Sequence, residues 1–177
     1  MQHLIFDTET TGLIANSLQG DRYMPHVIEF YARLDDDEGN ILDEVEFFCD
    51  PGIPVSEEIT KITGIKPEQV KGEPPFKSFV PRVVEMIESA DVVVAHNLSY
   101  DMAIVDLEMA RCSQPLRWPD QKVCTVEGTE HLKGHRLKLA DLHELLFGEP
   151  FAGAHRARTD VEALARCYHE LIARDEI

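Results

Sequence analysis

Apolar and polar positions along the chain change period several times, and each change marks an element. Residues 2–8 open on an apolar run and read as a strand. Residues 27–34 ("VIEFYARL") and 41–48 ("ILDEVEFF") read as two more, with "DDDEGN" as the hairpin turn between them. Residues 13–25 form a long polar loop between the first two strands. "SEEITKITGI" predicts a short helix capped by Ser56 and closed by Gly64. Residues 76–89 suit a helix, with Pro81 an irritant inside it. "DVVVAHN" is a continuous apolar run, the mark of a strand buried on both faces. Helical periods follow at about 99–111, 125–133, 138–147 and 159–174, with a short strand at "KVCT". A three-strand meander followed by strands alternating with helices predicts an α/β fold: a mixed five-stranded sheet flanked by helices. No repeat, linker or low-complexity segment interrupts residues 1–177, so one domain is expected.

Composition narrows the class. The 44% hydrophobic and 28% charged shares are those of an ordinary globular protein, and no apolar run approaches a membrane span. The four cysteines (Cys49, Cys112, Cys124, Cys167) lie far apart without a C-x-x-C pair, which argues for free thiols in a cytoplasmic setting. The net charge of −16 opposes non-specific binding to long nucleic-acid duplexes. The surplus is uneven: residues 1–60 hold 14 acids and 2 bases, whereas residues 111–177 hold 11 acids and 10 bases. A short, metal-assisted contact with nucleic acid is compatible with that distribution.

Three places put acids where packing alone would not. In "FDTETTGL", Asp7 and Glu9 are two apart on a strand and project to one face. Asp101 falls in the first turn of the helix after "VVVAHN", on the face of Ile104 and Val105. Asp160 precedes the period Val161, Leu164, Ala165, Tyr168, Leu171, on the margin of the inward face. A cap or salt bridge accounts for any one of them. Together they make a cluster of hard oxygen donors, which selects Mg²⁺ or Mn²⁺. Four carboxylates and two divalent ions balance in charge, and two such ions can clamp a phosphoryl displacement. No D-x-D-x-D-G calcium loop is present.

His155 lies five residues before Asp160. On one continuous helix the two would face about 140° apart, so His155 belongs to the preceding loop, where Gly153 permits movement. An imidazole there is suited to take a proton from water. "HLKGH" (His131, His135) has ligand-like spacing but no partner ligands, and reads as incidental.

"FDTETTG", "HNLSYD" and "HRARTD", in that order, resemble the three motifs of the DEDDh-type 3′→5′ exonucleases, a group with a ribonuclease H-like fold. It includes the proofreading epsilon subunit of bacterial DNA polymerase III. The likeness runs from residue 6 to about 173. It implies that Asp7, Glu9, Asp101 and Asp160 hold two Mg²⁺ or Mn²⁺ ions and that His155 is the general base. It further implies that Thr10, Thr11, Gly12 and Leu13 hold the terminal nucleotide, with Asn97 near the substrate. "ITGI" (62–65) resembles a segment that lines the same pocket, though a helix end closed by Gly64 explains it equally well.

Two features depart from the family pattern. Arg158 stands where relatives often carry leucine, altering local packing or adding a phosphate contact, and Val161 replaces an alanine. The loop at 14–26 is long and placed to cover or shape the cleft. The resulting expectation is a metal-dependent 3′→5′ exonuclease acting on DNA 3′ ends, single-stranded or frayed, and releasing nucleoside 5′-monophosphates. A DNA polymerase is the implied partner, and proofreading the implied role. An RNA-trimming enzyme and a catalytically idle replication subunit are the alternatives.

Overall fold

The structure is a computed structural model that describes residues 1–14 and 24–177. Five strands form one sheet in the order β3-β2-β1-β4-β5. They are β1 (His3–Thr10), β2 (Val27–Asp35), β3 (Ile41–Phe48), β4 (Val92–Ala95) and β5 (Gln121–Cys124). The first three make an antiparallel meander, while β4 and β5 run parallel to β1. Strand β1 is therefore central, flanked by a partner of each direction. Its Leu4, Ile5 and Phe6 are wholly buried, as are Val93, Val94 and Ala95 of β4. The expected mixed sheet is the one observed.

The described residues include eight α-helices, in chain order α1 (Glu57–Thr63), α2 (Pro67–Val70), α3 (Val80–Ser89), α4 (Leu98–Arg111), α5 (Thr125–Gly128), α6 (Glu130–Lys133), α7 (Leu139–Phe147) and α8 (Ala157–Ala173). Alternation along β1 divides the core. Leu4 and Phe6 pack with Phe30, Val93, Ile104 and Val105 on the face covered by α3 and α4. Ile5 packs with Val94, Leu142, Val161 and Leu164 on the face covered by α7 and α8. The same alternation sends Asp7 and Glu9 toward α8 and Thr8 toward α4.

Ser56 caps α1 by accepting the Ile59 N–H, and Gly64 closes it at φ 72°, as the sequence predicts. Pro81 is not an irritant. A short 3₁₀ turn occupies Phe76–Ser78, and α3 begins afresh, so the proline falls in a first turn where no N–H is required. The helix expected at 125–133 is two short ones. At the break, Thr129 donates its buried hydroxyl to the Thr125 carbonyl (2.6 Å). The one-turn helix α2 opens on Pro67 and was not foreseen. No helix among the described residues is long and apolar enough to cross a membrane.

Candidate active site

Two helices meet the carboxyl end of β1. The strand brings Asp7 and Glu9; α4 brings Asp101 and α8 brings Asp160, both in a first turn. Asp101, 3% exposed, reaches the strand from the opposite side of the sheet. Its Oδ1 accepts the Thr8 N–H (3.2 Å) and the Thr8 hydroxyl (2.7 Å). His155 stands just before α8 with φ 69°, in the loop that the sequence predicts. Its backbone N–H donates to Asp160 Oδ2 at 3.0 Å. Donor atoms of Glu9, His155 and Asp160 all lie within 4.8 Å of one another.

Electrostatics show what the cluster lacks. Burial pushes the Asp7 carboxyl well above its ordinary value, and Asp101, Glu9 and Asp160 add repulsion. Glu9 is raised to about 8, first by burial and then by Asp160, Glu29 and Asp101, with Arg156 opposing. Asp101 is raised to about 7 by burial, against the hydrogen bonds from Thr8. Asp160 is raised too, again chiefly by burial. Its Oδ1 is buried and has no hydrogen-bond partner, a costly arrangement for a carboxylate oxygen without a cation. Oxygen donors, mutual repulsion and an orphaned acceptor together fit hard divalent cations.

Beside the acids opens a cleft of about 540 Å³. Thr10, Thr11, Gly12, Leu13 and Asn97, all expected at the substrate, line it with Glu9. The turn is braced from two sides. Thr10 and Tyr100 each donate a hydroxyl to the Gly12 carbonyl (2.7 and 2.9 Å). Thr11 donates its N–H to the His26 carbonyl (2.9 Å) and accepts the His26 N–H on its hydroxyl (3.0 Å). Leu13 is left 82% exposed at the rim. Ile62 and Thr63 line the cleft as well, so "ITGI" serves both as helix end and as wall. Tyr100 was not singled out from the sequence, although it lies inside the second motif. The loop expected to shape the cleft falls mainly on residues 15–23, outside those described.

Other residues are spent elsewhere. His96 of the second motif is a half-buried strut. Its Nε2 faces the Leu137 carbonyl (3.1 Å) and its Nδ1 the Thr125 hydroxyl (2.9 Å). A carbonyl only accepts, so Nε2 carries the proton. Arg158 donates to Glu46 (2.8 Å) and stacks 4.5 Å from the Tyr31 ring centroid, which settles it as packing against β2 and β3. His131 pairs with Glu176, and His135 faces the Lys133 carbonyl.

The sequence profile of the Exonuclease family (RNase_T) matches residues 4–168. The chain belongs to that family. Among curated relatives of this chain is a DNA polymerase III PolC-type of Listeria welshimeri, 33% identical over 175 residues, covering 96% of this chain and 11% of the relative. The same protein of Pediococcus pentosaceus is 32% identical over 171 residues, covering 94% and 11%. The chain thus spans about a ninth of the length of the relatives it matches. Two solved structures share its fold. One is exonuclease X in complex with 5′-overhanging duplex DNA, with a TM-score of 0.69 and 22% identity, covering 97% of this chain and 92% of that one. The other is the nuclease domain of 3′hExo, a DEDDh family member, bound to rAMP, with a TM-score of 0.75 and 18% identity, covering 98% and 92%. The fold expected from the sequence is the one these structures share, and the family match upholds the resemblance to exonucleases.

Proposed function

We propose that this chain, residues 1–177, acts as one 3′→5′ exonuclease domain. It would remove nucleoside 5′-monophosphates from single-stranded or frayed DNA. The observation that carries the reading is the cluster of Glu9, His155 and Asp160 within 4.8 Å, with a buried, unpartnered Asp160 oxygen. Asp7, Glu9, Asp101 and Asp160 would hold two Mg²⁺ or Mn²⁺ ions. When bound, such ions supply charge neutralisation at the scissile phosphate and its leaving oxygen. His155 accepts the proton of the attacking water on its ring. Thr10, Thr11, Gly12 and Asn97 grip the terminal nucleotide in the cleft, and Leu13 meets its base. The PolC-type kinship favours DNA over RNA, a polymerase as partner, proofreading as role and a cytoplasmic setting.

The test is a gel of 5′-labelled single-stranded DNA and matched RNA with Mg²⁺, beside EDTA and His155→Ala lanes. A ladder shortening from the 3′ end, absent in both control lanes and stronger on DNA, is the expected result. Shortening that survives His155→Ala overturns the assignment of the base. Equal or stronger cutting of RNA overturns the substrate.

A further inference from the structure

Glu29 is an acid in the middle of an apolar strand, wholly buried. It stands on β2 directly across from Glu9 in the sheet register. Its carboxylate accepts Arg156 Nε (3.1 Å to each oxygen), Arg156 Nη2 (2.8 Å) and the Ala157 N–H (3.1 Å). These donors belong to consecutive residues, Arg156 capping α8 and Ala157 opening it, and they directly follow His155. The Arg156 guanidinium also lies 5.3 Å over the Phe48 ring. A buried carboxylate is worth keeping only if its compensation is complete, and here a planar fork and a helix N–H supply it.

The pair sits where the site most needs anchoring. Residues 152–155 are exposed, so the restraint on His155 comes from the α8 side. On that side its N–H is held by Asp160, and the next side chain is held by Glu29. The first restraint closes within the start of α8, and the second ties that start to β2, the strand paired with β1. We infer that the Glu29–Arg156 pair is a positioning latch, which fixes His155 and the first turn of α8 at their working distance from Glu9. The latch rests on the exonuclease reading above. Neither residue is placed in contact with substrate; they act through His155 and Asp160.

The experiment measures kcat and KM on 5′-labelled single-stranded DNA with Mg²⁺ for wild type, Glu29→Gln, Arg156→Lys and Arg156→Ala. Each is assayed at a temperature where circular dichroism shows all four folded. The latch requires kcat to fall about 10- to 100-fold in each variant while KM stays within about twofold, the scale of a displaced reacting group. Arg156 has 39% of its side chain exposed, so millimolar methylguanidinium should restore Arg156→Ala several-fold and methylammonium should not. If Glu29→Gln fails to fold, Arg156→Lys carries the test, because it keeps the charge and loses the fork. Unchanged kcat in a folded variant, a loss confined to KM, or equal rescue by both amines overturns the latch. An inactive wild type overturns the exonuclease reading and the latch together. An active wild type with equally active variants overturns the latch alone.

Discussion

Asp101, on a helix covering one face of the sheet, is tied through its Oδ1 to both donors of Thr8 on the central strand (3.2 and 2.7 Å). This bond separates Asp101 from the other acids. Asp7 and Asp160 are opposed chiefly by burial, and Asp160 accepts only an exposed N–H, that of His155, whereas Asp101 satisfies a buried N–H and a buried hydroxyl.

Substitutions should therefore diverge in stability while agreeing in activity. Asp7→Asn and Asp160→Asn each remove a charge and should melt, in EDTA, no lower than wild type. Asp101→Ala leaves two donors unpaired and should cost about 1–3 kcal/mol. All three should lose at least about 100-fold in turnover, the scale of losing transition-state charge stabilisation. Thermal melts in EDTA beside turnover assays check this; low melting of Asp7→Asn would make that acid structural.

The pH dependence of the metal-free protein should show the same cost of burial. Burial first of all pushes Glu9 up to about 8 and Asp101 up to about 7 in the folded chain, from ordinary values of 4.5 and 3.8. An acid whose folded pKa is raised favours folding while it is protonated in both states. Its contribution is full below the unfolded pKa and declines as pH climbs toward the folded one. Ionising these buried carboxylates should thus cost stability progressively from about pH 4 to pH 8. Added Mn²⁺ should raise the melting temperature more at pH 8 than at pH 5. Urea unfolding with and without Mn²⁺ across that range measures it, and an equal Mn²⁺ effect at both ends would contradict it.

His96 titrates in the opposite sense. Burial lowers it to about 4 from 6.5. Its neutral-state contribution is complete above pH 6.5 and is lost as pH falls toward 4. His96→Ala should cost about 1–3 kcal/mol at pH 7, from the stranded Leu137 and Thr125 partners, and distinctly less at pH 4.5. Comparing the two proteins in urea at both pH values isolates this from the acids.

Leu13 offers a clean substrate probe. At 82% exposure it contributes little to folding, so Leu13→Ala should shift stability by no more than about 0.5 kcal/mol. Its effect should be a KM several-fold higher with kcat retained, because the contact is made alike by bound substrate and transition state. A kcat loss without a KM change would place Leu13 elsewhere in the reaction.

Most of this architecture is legible in the sequence because its signals are local. Alternation reveals the meander, the run "DVVVA" reveals β4, and Ser56 and Gly64 bracket α1. The acids of the cluster are legible because each interrupts an apolar pattern at an element's end. Glu29 interrupts one as well, in the middle of "VIEFYARL", and that signal passed unread because its partner lies 127 residues away. His96 shows the converse: it adjoins a cleft residue in a motif, yet only the tertiary position of Leu137 and Thr125 reveals it as a strut. Pro81 and the break within 125–133 escape the pattern for a simpler reason, since helix periodicity does not register where one helix stops and another starts.

The chain contains one tryptophan. Trp118 lies with its ring centroid 5.7 Å from that of Phe6, the residue before Asp7, and its indole N–H donates to Asp106 on α4 (2.8 Å). Its emission is therefore a built-in optical reporter, seated beneath the strand that bears the acids and tethered to the helix that bears Asp101. Loading of the carboxylate cluster and settling of that helix are open to fluorescence titration on the unlabelled protein, before any nucleic acid is added.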